Sequence, residues 1–476
     1  PALDALCDRS PVVKEHRQAL VDIAEQSKYR MTPEMENLAS ELLVFSGGES
    51  LSMLQGTVTS QLKMPFEQDG KTEMLPMTAI RNLSNSPDED VRRRAYETEL
   101  EGWATIREPV AFALNGVKGT ALTLAKRRGR ESVLDKSLDD NMIDKETLDA
   151  LLTSMKASLP IFRKYFKCKA KKLGKKSLPW WDLFAPVGSV ELSYTWREVQ
   201  DYIVEQFGTF SSELADYATN AFKKNWIDAE PRDGKVGGAF CMRVPGVDES
   251  RVLANFDGSF DQMSTLAHEL GHGFHNHCQI GLPMMRQGSP MTLAETASIF
   301  CQTIVINAAL EASPPEAQLG ILENQIMDAA QVIVDIYSRY IFETEVVSRR
   351  VESTVSADDF CEIMLDAQRE AYGDGLDRHH LHEYMWLLKP HYYSHHYNFY
   401  NFPYAFGLLF GLGVYAIYLK EGEAFLPRYK ELLRSTGEGK AADLAARYGI
   451  DIRSRGFWDA SIDVMAKQIE TYCELD

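Results

Sequence analysis

The residues best suited to chemistry in this 476-residue chain stand in one run, His268-Glu269-Leu270-Gly271-His272. The run lies within residues 263–274, whose apolar positions recur at helical spacing. On a helix, side chains four residues apart stand one above the other, so both imidazoles project from one face and can grip a single cation. Glu269 sits one step round the cylinder, where it reaches a water beside the cation without being a ligand. Two neutral nitrogen ligands, with a carboxylate to take a proton from water acidified by Zn²⁺, are what metal-assisted hydrolysis requires. A chance match to this pattern is expected in on the order of one protein in a hundred of this size. Context strengthens it, because ten of the eleven histidines fall between His268 and His396.

A catalytic zinc site takes three protein ligands and keeps a fourth position for water. The metzincin position for a third histidine is Cys278 here, so that pattern fails. His275 and His277 are too near in sequence to fold back onto the same ion and read as packing or supporting residues. Glu295, in Thr292-Leu293-Ala294-Glu295-Thr296-Ala297-Ser298, is the better candidate. Gly281, Pro283, Gly288 and Pro290 permit a chain reversal, after which a second helix can present a carboxylate to the metal. Thr292 and Glu295 also have capping-box spacing. Ser289-Pro290 is itself a helix start, however, and would place Glu295 inside the helix.

Residues 391–404 (HYYSHHYNFYNFPY) are dense in phenol and imidazole donors, which suits a lid over a cleft where negative charge develops on a carbonyl oxygen. His379, His380 and His382 lack a carboxylate or cysteine in helical register and read as a solvated helix start.

The elements that must carry these groups are nearly all helical, so the fold class is mainly α. Helix starts are expected at Ser86-Pro87-Asp88-Glu89-Asp90, running through Trp103, at Ile143-Asp144-Lys145-Glu146, and at Ser193-Tyr194-Thr195-Trp196. Strand character is concentrated at residues 236–242 and 251–256, which flank Pro245-Gly246 and form a small hairpin next to the motif helix. The basic run 167–176 reads as a solvated helix end. Residues 402–419 carry no charge and are about long enough to span a bilayer. Pro403, Gly407, Gly411 and Gly413 interrupt them, and a buried core helix is expected instead of a membrane span.

A net charge of −18 argues against nucleic acid or anionic membrane as partner and leaves short peptides and small molecules. Seven scattered cysteines with no C-x-x-C pair read as reduced thiols in a cytoplasmic protein. The N-terminus has no basic start or long apolar run of a signal peptide.

The combination of HELGHGFH at 268–275, LAETAS at 293–298 and HYY…FYNFPYAFG at 391–407 resembles the oligoendopeptidase F branch of the thimet-oligopeptidase family of zinc metallopeptidases. Residues 339–343 and 182–186 extend the resemblance through most of the chain. It implies a large helical body split by a deep substrate channel that admits short unstructured peptides. It further implies one Zn²⁺ per chain on His268, His272 and Glu295, with Glu269 as general base. Tyr404 matches a tyrosine that stabilises the oxyanion, and His391, Tyr397 and Tyr400 fall where substrate-binding residues lie. The hairpin segment with Gly238 and Ala239 resembles an edge strand along which a peptide backbone pairs. Members of this branch commonly carry Glu where Gln302 stands, a departure that bears on how the metal is tuned. Residues 1–85 are expected to form an incomplete N-terminal helical lobe and residues 86–476 the catalytic domain. The competing readings are a metallocarboxypeptidase of a related helical fold, a peptide-binding protein with a structural zinc, and an intramembrane protease resting on residues 402–419 alone.

Overall fold

Short polar side chains open the helices. Asp144 accepts from the Thr147 backbone N–H at the start of Lys145–Lys172, and Thr195 with Glu198 forms a reciprocal capping box at Trp196–Phe210. Near residue 86 the cap is Asp88 rather than Ser86, and the helix Glu89–Arg127 continues far past Trp103. It passes through Pro109 because Val110, Ala113, Leu114 and Val117 are fully buried on its inner face, and that packing outweighs the lost backbone bond.

The computed structural model describes residues 2–68, 70–188 and 193–475. Helices dominate, and the described strands form two small sheets. One is the antiparallel hairpin β1 (Lys63–Gln68) and β2 (Lys71–Pro76). The other contains β3 (Ile227–Asp228), β4 (Phe240–Val244) and β5 (Glu249–Leu253) in the order β3-β5-β4. β4 runs antiparallel to β5, with Phe240 opposite Leu253 and Val244 opposite Glu249, while β3 runs parallel to β5. β4 is therefore an edge strand, with one row of backbone groups unpaired within the sheet.

Two apolar clusters hold the body together. The smaller contains Phe66, Trp103, Leu114, Phe342 and Tyr392, and the larger contains Leu270, Phe274, Phe300, Phe406 and Trp458. The helix Glu89–Arg127 supplies both, since Ala121 and Ala125 belong to the larger cluster. Within that cluster a row of helices packs in succession: Phe260–Cys278, Thr296–Ala312, Phe402–Glu421, Arg455–Glu474 and Lys145–Lys172.

The apolar stretch 402–419 is a core helix, as expected: Phe402, Phe406, Leu409, Phe410 and Val414 are completely buried. Two described segments, Met291–Ala312 and Phe402–Ser435, are apolar and long enough to cross a bilayer, and both lie largely inside the protein.

Three expectations are corrected. Cys168 and Cys473 form a disulfide with Cα atoms 5.6 Å apart, so these two are not free thiols. Their sequence separation of 305 hides the pairing, which arises only when Lys145–Lys172 packs on Arg455–Glu474. The basic run is not wholly solvated, because Lys169 is fully buried and donates to Glu323 and to the Leu183 carbonyl. Nor is the group at 379–382 a solvated helix start, since His382 is completely buried with Nε2 3.3 Å from Glu99 Oε1.

Candidate active site

Ser259 caps the motif helix Phe260–Cys278, its hydroxyl accepting from the Gln262 N–H at 3.3 Å. The helix buries Met263, Leu266, Leu270 and Phe274 and so turns His268 and His272 together to one side, with ring centroids 4.9 Å apart. Gly271 stands where the next helix crosses. A Cβ at this position would lie 2.6 Å from the Ala297 carbonyl oxygen, so glycine alone lets the backbones meet this closely.

Glu295 is not inside a continuous helix. Residues Met291–Ala294 make one turn that ends at Glu295 (φ −85°, ψ 1°), and Thr296–Ala312 begins directly after it. The break aims the carboxylate sideways at the two imidazoles. Thr292 makes no capping box, because its hydroxyl donates to the Asn141 carbonyl at 2.8 Å. On the far side, a Cβ at Gly407 would lie 3.0 Å from Glu295 Cβ and Cγ. Gly407 thus lets the helix Phe402–Glu421 press onto Glu295. Tyr404 lies three residues earlier, on the same face.

Glu295 Oε2 is 3.1 Å from His268 Nε2 and 3.4 Å from His272 Nε2. A tetrahedral zinc with bonds of ~2.0–2.2 Å has donor separations of about 3.3–3.6 Å, so the three atoms stand at metal-sharing distance. Their chemistry also fits, two imidazole nitrogens and one carboxylate oxygen. Gln302 Oε1 accepts from His268 Nδ1 at 3.0 Å and Gln302 Nε2 donates to Ser264 Oγ at 3.1 Å. With a cation in place, this bond would keep a proton on Nδ1 and leave Nε2, which faces Glu295, as the ligand atom. Ser298 Oγ donates to Glu295 Oε2 at 2.7 Å.

Burial works against the charged form of Glu295, but the hydrogen bonds and charges of His268 and His272 outweigh it and hold its pKa well below the ordinary carboxylate range. Glu269 is nearly fully buried, and burial raises its pKa against the opposing charges of His268 and His272. Its Oε2 has no hydrogen-bond partner. A cavity of about 410 Å³ is lined by His268, Glu269, His272 and Glu295 together with Ala239, Phe240 and Cys241 of the edge-strand region. Gly238 takes a positive φ of 81°, and its carbonyl accepts from Asn255 Nδ2 at 2.9 Å. Gly238 and Ala239 therefore lie in the bend that precedes β4 and not on the strand expected over residues 236–242, which pairs only from Phe240 onward.

The aromatic run forms a connected set: His391 to Tyr400 5.8 Å, Tyr400 to Tyr404 5.9 Å, His391 to Tyr404 6.1 Å and Tyr397 to Tyr400 5.2 Å between centroids. Phe399 adopts φ 55°, a costly conformation for a bulky residue, held by burial of its ring against Tyr340. Burial lowers the His391 pKa, assisted by the charges of Arg339 and Lys389, and burial raises that of Tyr404, assisted by Tyr400 and Glu295. At neutral pH His391 is therefore an uncharged imidazole and Tyr404 a phenol that keeps its proton. Tyr397 is exposed at the rim, while Tyr400 and Tyr404 are half-buried.

His275 and His277 stay out of the donor set. His275 Nε2 lies 3.1 Å from the Leu433 carbonyl, and the His277 ring packs on Tyr217. Sequence reasoning gave no role to Ser298, Ser264 or Cys241. Ser298 lies three residues after Glu295, and that helical spacing was the available signal; nothing local marks Cys241 or Ser264.

The chain is similar to known proteins over most of its length. The chain is 23% identical over 415 residues to an oligoendopeptidase F homolog of Lactococcus lactis, covering 86% of this chain and 68% of that protein. It is 21% identical over 471 residues to the oligopeptidase PepF of Bacillus subtilis, covering 97% and 69%. Its fold matches the crystal structure of oligoendopeptidase-F from Enterococcus faecium with a TM-score of 0.77 at 18% identity, over 98% of this chain and 79% of that one. The sequence model that describes peptidase family M3 matches residues 82–464, which include His268, Glu269, His272, Glu295 and the aromatic run, and the chain belongs to that family.

Proposed function

We propose that the protein is a zinc-dependent oligoendopeptidase that hydrolyses internal bonds of short unstructured peptides. The observation that carries this reading is the convergence of His268, His272 and Glu295, whose donor atoms lie within 4.8 Å of one another beside the buried, unpartnered carboxylate oxygen of Glu269. His268, His272 and Glu295 would hold one zinc per chain, which when bound would supply Lewis acidity toward a carbonyl and a water.

The remaining steps belong to the chain. The peptide backbone lies along the unpaired edge of β4, held near Gly238 and Ala239 by strand-like hydrogen bonds. Such pairing needs an extended substrate, which accounts for a preference for unstructured peptides. Glu269, its basicity raised by burial, takes a proton from the attacking water and passes it to the departing amide nitrogen. Tyr404 retains its phenolic proton and donates to the carbonyl oxygen as negative charge builds, with His391 as a second donor. Tyr397 and Tyr400 flank the bound peptide.

Residues 86–476 form the catalytic domain and residues 1–85 an N-terminal lobe beside a substrate channel. The protein works without nucleic acid or membrane as partner. The net charge of −18 and the burial of the apolar helices support this.

The test is a digest of a mid-length peptide by the zinc-loaded protein, followed by mass analysis. Internal cuts are expected, lost in Glu269→Gln while zinc is retained. Stepwise loss of C-terminal residues would instead assign a carboxypeptidase. Turnover retained by Glu269→Gln would refute the mechanism, and hydrolysis by neither form would leave a peptide-binding protein with a structural zinc.

A further inference from the structure

The run 391–404 carries two histidines, His395 and His396, that the site above does not use. Their ring centroids lie 3.8 Å apart, next to Glu49 in the first turn of the helix Gly48–Gln61. His395 sits directly on that helix start: a Cβ at Gly48 would stand 2.5 Å from its Nδ1, so glycine at 48 makes the seat. The His395 side chain is accordingly 2% exposed, while Glu49 and His396 reach solvent at 46% and 53%. The His395 ring makes no hydrogen bond through Nε2, which is buried.

Glu49 Oε1 lies 3.8 Å from His395 Nδ1 and 3.6 Å from His396 Nε2. Both separations exceed an N–H···O hydrogen bond of ~2.7–3.2 Å. They are close to the donor–donor edges of about 3.3–3.6 Å around a tetrahedral zinc. One donor atom from each of the three side chains fits within 4.8 Å of the others, as at the first site. Two cations stand nearby, and each is already taken. Arg128 is bound by both oxygens of Glu36 at 3.0 and 2.6 Å, and Lys136 by Asp140. Among the described residues, the ion pairs of Glu49 are with these two imidazoles alone. Burial lowers both histidine pKa values, that of His395 to about 4, with the charge of His396 as the next cause, so both rings are neutral at pH 7 and able to ligate. The positive end of the helix Gly48–Gln61 opposes a cation here, and the Glu49 carboxylate in its first turn offsets that.

We infer that Glu49, His395 and His396 form a second site for a divalent transition metal of the zinc class, with a fourth position open to water. A cation bound there ties the N-terminal helix Gly48–Gln61 to the segment that carries His391, Tyr397, Tyr400 and Tyr404. It is separate from the His268, His272 and Glu295 group and shares no ligand with it.

The test uses the full chain loaded with one equivalent of Zn²⁺ and titrated calorimetrically with more Zn²⁺, with a parallel Co²⁺ titration to read coordination from the visible spectrum. A second, weaker class of binding is expected. It should weaken at least tenfold in Glu49→Gln and in His396→Ala, two solvent-reaching side chains whose loss leaves the core untouched. It should persist in His272→Ala, where the first class is lost. A single class in the unaltered protein, a second class unchanged in either surface variant, or its loss in His272→Ala with the fold intact would each overturn the assignment. Because the readout is metal binding, failure here is distinguishable from failure of the peptidase reading.

Discussion

Replacing Gly271 by Ala puts a methyl carbon 2.6 Å from the Ala297 carbonyl oxygen and 2.7 Å from Ser298 Cα. Ordinary carbon–oxygen contacts begin near ~3.3 Å, so Thr296–Ala312 must retreat by about 0.7 Å. The obstacle is backbone, and no side-chain rotation relieves it. Overpacking of this kind costs about 1–3 kcal/mol, here at the upper end. The better helix propensity of alanine returns about 1 kcal/mol, leaving a net loss near ~2 kcal/mol. The metal donors suffer more, because Glu295 and Ser298 move with the retreating helix while His268 and His272 stay. A zinc site tolerates errors of only about 0.2 Å, so zinc affinity should fall by roughly 10–100-fold, the range for disturbed supporting groups. Denaturant unfolding of the metal-free chain and competition with a chromogenic chelator measure the two effects. Gly56→Ala is the control: this exposed helical glycine has nothing within 4 Å of an added Cβ, and should gain about 0.5–1 kcal/mol. If Gly271→Ala matched that control, with full zinc affinity, the claim that the helix crossing positions Glu295 would be wrong.

Glu269→Gln should keep zinc and lose about 10²–10⁴-fold in kcat. Tyr404→Phe should lower kcat by about 10²–10³-fold with little change in KM, and a change confined to KM would remove Tyr404 from the oxyanion role. Gln302→Leu takes away the acceptor for His268 Nδ1, and equilibrium dialysis should record zinc affinity about tenfold weaker or worse. Burial, helped by the charge of His272, lowers the His275 pKa to about 4, so the unfolded chain binds the proton first as pH falls. The stability this buried neutral ring contributes is complete above pH ~6.5 and lost progressively down to about pH 4, an upper estimate of ~3 kcal/mol. Unfolding midpoints for His275→Gln should show a shallower pH slope across that window.

What the sequence determined by itself is local. A period of four along one helix places His268 and His272 together whatever surrounds them, and capping chemistry opens helices within the stretches read as starts, 143–146 and 193–196, with Asp144 and Thr195 as the caps. The Pro-Gly turn marks the hairpin of β4 and β5, but its strands pair over Phe240–Val244 and Glu249–Leu253 rather than over residues 236–242 and 251–256, since register is set by the pairing itself. Wherever the answer depended on segments far apart in the chain, only the tertiary structure decided it. Glu295 meets the imidazoles because a one-turn helix breaks at that residue and because Gly271 and Gly407 let two other helices come close, facts that no spacing encodes. The Cys168–Cys473 bond, the buried Lys169 and His382, and the passage of a helix through Pro109 have the same origin: packing between distant elements outweighs local preference. Glu49 beside His395 and His396 is the extreme case, since its carboxylate reaches those rings only after the N-terminal helix has docked on the segment that follows His391.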